Sequence, residues 1–240
     1  MTLASCDSRK TAGENPFFTE WDTPHGVPPF DKILPEHFMP AFERGMSLHE
    51  AEIDAITSNK DEATFENTIL AYDNAGQMLA QTELVFGMLC AAETNDRMQA
   101  LQEQAMPLLA AHRDKIRLDD KLFVRVKEVY DRRAALGLDA EQMRLLQKTY
   151  DSFVRAGALL DAEQKARLKE INGQLSLTAV KFGNNILAEN NNFVLELKSD
   201  ELDGLPAGIR DAARKKAQQM GKGDKWVFTL HKPSLIPLLT

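Results

Sequence analysis

From Pro35 to Asn192 apolar residues recur at helical spacing almost without a break, so packed helices are the main way this chain can bury them. Pro35 suits a first helical turn, and Phe38, Phe42, Met46, His49, Ile53 and Ile56 follow at steps of three or four. Thr64 can cap a second helix carrying Phe65, Ile69, Tyr72, Leu79, Phe86 and Leu89 inward as far as Ala92. Asn95-Asp96 starts a third, with Met98, Leu101, Ala105, Leu108, His112 and Ile116 on one face, and Pro107 is expected to kink it by removing an amide donor. Asp119-Asp120 reads as the cap of a fourth, with Leu122, Phe123, Val126, Val129 and Tyr130 facing a core and Gly137 ending it. A capping-box pattern at Asp139–Gln142 opens a fifth, whose stripe of Met143, Leu146, Tyr150, Phe153, Gly157 and Leu160 predicts six turns. Asp161 begins a sixth without a loop between, with Leu168, Ile171, Leu175, Thr178, Phe182 and Ile186, and Glu189–Asn192 stops it.

After Asn192 the period shortens to two. Phe193, Leu195 and Leu197 alternate with polar neighbours, as Trp226, Phe228 and Leu230 do later, and a short helix from Pro206 to about Met220 lies between. Strands this short are unstable alone, which predicts that they pair antiparallel across that helix. The fold class is therefore mainly α: helical hairpins or a bundle, with a small two-stranded β element near the C-terminus. Residues 1–15 read as a tail or trimmed signal remnant, 16–192 as a helical lobe preceded by an extended, proline-rich lead-in to Pro35, and 193–240 as a strand-helix-strand segment. At 240 residues the chain can bury roughly 70–75% of its unfolded surface. The apolar end Pro233–Leu239 reads as a cut through a larger protein.

Composition excludes some classes. A net charge of -7 argues against a nucleic-acid binder, and the best basic patch, Arg214-Lys215-Lys216 with Lys222 and Lys225, reads as a solvated helix face and its turn. Gly221–Lys225 lacks the ending of a phosphate loop and reads as a turn. Cys6 and Cys90 do not form a disulfide framework, and Cys90 reads as a small core hydrophobe. Leu3-Ala4-Ser5-Cys6 matches a lipoprotein cleavage box without the basic and apolar regions that precede one, so a trimmed signal and a chance match both stand. No window approaches the ~18–20 apolar residues of a membrane span.

The chemistry of hydrolysis finds no purchase. A zinc peptidase needs two histidines one turn apart, a third ligand and a glutamate base. Here the histidines are His25, His37, His49, His112 and His231, and the nearest imitation, His49-Glu50-Ala51-Glu52-Ile53, has isoleucine at the second ligand's place. His49 therefore reads as a helix-face histidine with a hydrogen-bond partner. No serine occupies a nucleophile elbow, and Cys90 has no histidine near it in sequence. No residue is assigned a catalytic, cofactor-binding or metal-ligating role.

Several separated motifs nevertheless stand in a recognisable order: Pro28–Ile33, His37–Phe42, Ala63–Ile69, Leu202–Pro206, and Trp226–Leu230 with Pro233-Ser234 and Pro237. Together, over roughly Asn15 to Leu239, the chain resembles the amino-terminal half of the thimet-oligopeptidase family of zinc metallopeptidases, on its bacterial peptidyl-dipeptidase branch. The resemblance implies a helical wall of a deep channel, short unstructured peptides as substrates, release of dipeptides from the C-terminus or internal cleavage, and zinc held by a catalytic half that this chain lacks. It also implies that this chain alone is inactive, and that it exposes apolar surface where its lobe contacts are missing. A non-catalytic binding module of the cell envelope and a degenerate peptide-binding pseudo-enzyme are the rival readings. The expected location is the bacterial envelope or periplasm, with a lipid on Cys6 as the membrane link, or else the cytoplasm.

Overall fold

The structure, a computed structural model, describes residues 15–239; Cys6 lies outside them. The chain divides into two compact units, one ending at Leu177 and the other beginning at Thr178.

In the first unit the lead-in is not simply extended. Tight 3-10 turns form at Pro16–Phe18 and Pro24–Gly26, and the Asn15 side chain receives the Phe17 amide. Another at Pro35–His37 runs into α1, Phe38–Ser58. The proline-rich segment thereby seats Phe17 among Phe38, Phe42 and Phe86, whose rings pair at centroid distances of 4.9–6.2 Å, mostly edge-on or tilted.

The second helix is where pattern and structure part. A π-helical turn, Phe65–Leu70, leads into the short α2, Ala71–Asp73, and the chain breaks before α3, Gln77–Ala92. Gly76 has φ of 75°, a left-handed value that side chains resist. Its amide donates to a Glu52 carboxylate oxygen at 2.7 Å, and a Cβ there would stand 2.9 Å from His49 Nδ1. Apolar residues on both sides stay in phase, so the break does not disturb the inward face.

α4, Asp96–Arg117, is capped by the Asn95 side chain and continues past Pro107, burying Leu109 where Leu108 was expected. Asp119 caps α5, Asp120–Asp131, by accepting the Leu122 amide, and a 3-10 turn at Arg133–Ala135 follows. α6, Ala140–Arg155, opens on the expected capping box at Asp139 and Gln142. It stops short of Leu160, because Gly157 turns the chain at φ of 97° with Leu168 and Leu160 packed where a Cβ would sit. A loop therefore separates it from α7, Ala162–Asn192.

Two apolar cores result. One gathers Phe38, Phe42, Val85, Phe86, Met98 and Leu109; the other gathers Ile69, Leu122, Val126, Val129, Leu146 and Phe153. α7 is tied to the first unit by polar links, Lys165 to Asp120 and Asn172 to Asp114. Its apolar residues are largely bare: Leu175 is 62% and Phe182 66% exposed, and Ile171 and Ile186 are exposed too.

In the second unit β1, Leu195–Leu197, precedes α8, Ala207–Gln219, and β2, Trp226–Phe228. The strands pair antiparallel with Leu195 opposite Phe228 and Leu197 opposite Trp226, as the alternation predicts. Leu202, Leu205, Ala213 and Phe228 make a small core. A single turn of helix, α9, Lys232–Leu235, and a 3-10 turn, Ile236–Leu238, complete the described chain. No described helix is long and apolar enough to cross a membrane.

Candidate functional site

Of the five histidines, two meet. His49 on α1 and His112 on α4 are far apart in sequence, yet His49 Nδ1 and His112 Nε2 lie 3.0 Å apart. The helical stripes that put Phe42 and Leu109 in one core also bring these two positions face to face. His112 is almost fully buried, its side chain 3% exposed, while His49 is half-buried. Burial depresses the basicity of both rings; for His49 the neighbouring His112 is the next cause, and the carboxylates of Glu52 and Glu50 oppose it. For His112 the opposing influence comes mainly from Glu50. That carboxylate lies 3.5 Å from His112 Nδ1, an atom with no hydrogen-bond partner, so the contact is electrostatic. A hydrogen bond from Lys115, at 2.8 Å, holds the Glu50 carboxyl below its usual range.

Two surface clefts flank this cluster. One, about 480 Å³, is lined by His49, Gly76, Glu83, His112 and Arg113; the other, about 390 Å³, by Glu43, Met46, Glu50, His112 and Lys115. His112 faces both. Among the described residues no group of three or more histidines, cysteines or acids converges closely enough to hold a metal ion. His37 meanwhile accepts the Leu34 amide, and His25 and His231 are exposed.

The motif Ala63–Ile69 is organised by a polar hub. Asn67 Oδ1 receives the Thr64 amide, the Thr68 hydroxyl and the Arg125 guanidinium, while its amide nitrogen donates to the Glu62 carbonyl. Arg125, buried on α5, also donates to the carbonyls of Asn59 and Asp61 at 3.0 and 3.1 Å. The hub pins the loop between α1 and the π-helical turn. Sequence reading found Thr64 as a cap but not Arg125, which no local pattern marks.

Other candidates resolve into structure. Lys222 and Lys225 both grip Glu196, holding its carboxyl down at about 2, with the Lys225 hydrogen bond the larger cause. Arg214 pairs with Asp224 and stacks on Trp226, so three of the five residues of the basic patch are engaged within the fold. Asp120 pairs with Lys165, and Asp119 is the cap expected of it. Cys90 is half-buried, and burial pushes its thiol up, away from the reactive thiolate. In the second unit a cleft of about 270 Å³ runs between α8 and β2, with Ile209, Ala213, Val227 and Phe228 as apolar walls and Lys216 and Ser234 at its polar edge.

No protein-family model matches the chain. It is similar to dipeptidyl carboxypeptidase of Escherichia coli (strain K12), 37% identical over 226 residues, which covers 94% of this chain and 33% of that protein. Dipeptidyl carboxypeptidase of Salmonella typhimurium (strain LT2) is 34% identical over the same share. Oligopeptidase A of Escherichia coli is 24% identical over 219 residues, 91% of this chain and 32% of the relative. The chain thus spans about a third of the length of the curated relatives it matches.

Proposed function

The chain belongs to the thimet-oligopeptidase family, and we propose that it is a helical lobe of a zinc-dependent peptidyl-dipeptidase-like metallopeptidase acting on short peptides. The observation that carries this reading is the 37% identity to a dipeptidyl carboxypeptidase across 94% of the chain. In the proposed assembly the lobe forms one wall of a channel narrow enough to admit unfolded peptides and exclude folded proteins. The reaction centre is supplied by the catalytic half, the partner of this lobe. Release of dipeptides from the C-terminal end is the activity that the name of the 37% relative suggests.

The described residues do not fit a catalytic zinc centre. Such a site takes three protein ligands and leaves a fourth position for water. Here His49 and His112 bond each other at 3.0 Å, and the nearest carboxylate, Glu50, lies on the far side of His112. No hydrolytic step is therefore routed through this chain. Its part is to bind, shape and exclude. The bare apolar residues of α7 support the lobe reading, since exposed stripes of this kind mark surfaces that meet another apolar partner.

The bacterial envelope is the proposed location, with a lipid on Cys6 as the tether; fatty-acid labelling that disappears in Cys6→Ser is its direct test. For the function, this chain should replace the matched third of Escherichia coli dipeptidyl carboxypeptidase and leave a chimera that still releases dipeptides. The isolated chain should release none and hold less than one zinc. A chimera that folds but has no turnover, or turnover by the isolated chain that a chelator abolishes, would refute the reading.

A further inference from the structure

We propose that His49 and His112 form a proton-operated latch between α1 and α4, closed while at least one ring is neutral and opened when both are charged. The argument is one of hydrogen-bond inventory. With Glu50 beside His112 Nδ1, the favoured tautomer carries its proton there and leaves Nε2 as an acceptor for the His49 Nδ1 proton. A first proton can be added at His49 Nε2 without disturbing this bond, because an imidazolium still donates from Nδ1. A second proton removes the acceptor. Two cationic rings would then face each other with nitrogens 3.0 Å apart, and His112, its side chain 3% exposed, carries its charge largely desolvated.

The charged groups around the pair do not rescue it. From α1 come Glu50 and Glu52, from α3 Glu83, and from α4 Lys115 and Arg113. Glu50 is already engaged by Lys115, and Glu52 by the Gly76 amide. Burial outweighs the acids that remain, which depresses the basicity of both rings. The linkage sign follows. A histidine held below its usual 6.5 stays neutral in the folded chain while the unfolded chain takes up a proton. Stability is therefore full above about 6.5 and falls as pH drops from there towards the folded values.

Opening has a defined local consequence. His49 packs where a Cβ of Gly76 would lie, so releasing it frees the break that aims α3. His112 lines both flanking clefts, of about 480 and 390 Å³, so displacing its ring would reshape each of them. Acid should thus loosen this corner while leaving the core of Leu122 and Phe153 closed.

The test uses the full chain. Urea unfolding at about pH 8 and about pH 5.5 should show an acid loss of stability, with a rise in the unfolding constant of at most about tenfold per depressed ring. His49→Gln, which keeps a polar partner for His112 but cannot titrate, should lose the His49 share of that acid sensitivity and keep only the part that burial imposes on His112. Protection against hydrogen exchange at Gly76–Ala80, taken relative to the intrinsic rate at each pH, should fall in acid in the parent chain but not in the variant. Should the variant fail to fold, nuclear magnetic resonance titration of the parent decides: both rings should titrate below the usual 6.5. The latch is overturned if His49→Gln retains the full acid loss, or if His49 and His112 titrate at or above the usual 6.5.

Discussion

Replacing Arg125 by methionine isolates the hub that pins the loop after α1. Its guanidinium, 9% exposed, donates to the Asn59 and Asp61 carbonyls and to Asn67 Oδ1, all at 3.0–3.1 Å. Hydrogen bonds from a charged donor contribute about 1.5–3 kcal/mol each, which sets a ceiling of roughly 5–9 kcal/mol for three. Three features lower it. Asp61 is exposed and Asn59 partly so, which lets water reach their carbonyls. Asn67 Oδ1 keeps its bonds from Thr64 and Thr68. Arg125 Nε is buried without a partner, and methionine relieves that desolvation. The expected net loss is about 2–4 kcal/mol. Urea unfolding monitored by circular dichroism should show the midpoint fall by roughly 1 M with little change in slope. Hydrogen exchange should report faster opening at Thr64–Thr68, and Arg125→Lys should recover only part of the loss, since an ammonium cannot reproduce the planar fork. A methionine variant within about 0.5 kcal/mol of the parent would refute the reasoning, because the polar bonds would then merely balance the buried charge.

Two further variants probe packing. Leu122→Ala, at a fully buried site between Phe123 and Leu146, should lower stability by about 2–5 kcal/mol in the same assay. Leu175→Ser and Phe182→Ser, by contrast, should each stay within about 0.5 kcal/mol while reducing binding of an apolar dye; losses beyond ~1.5 kcal/mol would show that these side chains are packed in solution.

How much of this was legible in the sequence depends on the range of the forces involved. Caps are local, so Thr64, Asn95, Asp119 and Asp139 could be read from their neighbours. The β1 and β2 pairing was also accessible, because two segments too short to stand alone had one available partner each. Periodicity was blind to the break at Gly76, since Tyr72 and Leu79 are seven residues apart and stay in phase through it. The same held at Gly157, between Phe153 and Leu160. The stripes placed His49 and His112 on inward faces but could not pair them, and the Arg125 hub had no local signal, because such partners are chosen by helix packing across long separations. The α7 residues carried a clear apolar stripe, yet a stripe tells only that a partner surface is wanted.

The separation of β1 from β2 has a kinetic meaning. Leu197 and Trp226 cannot meet until the chain between them has closed a loop, an entropic cost of roughly 3 kcal/mol for a span of this length. Docking α8 first shortens the search, so the ribbon forms late in the folding of its unit and frays early. Weakening α8 at Ala213 or Ala217, both buried, would then delay a sheet to which neither residue belongs.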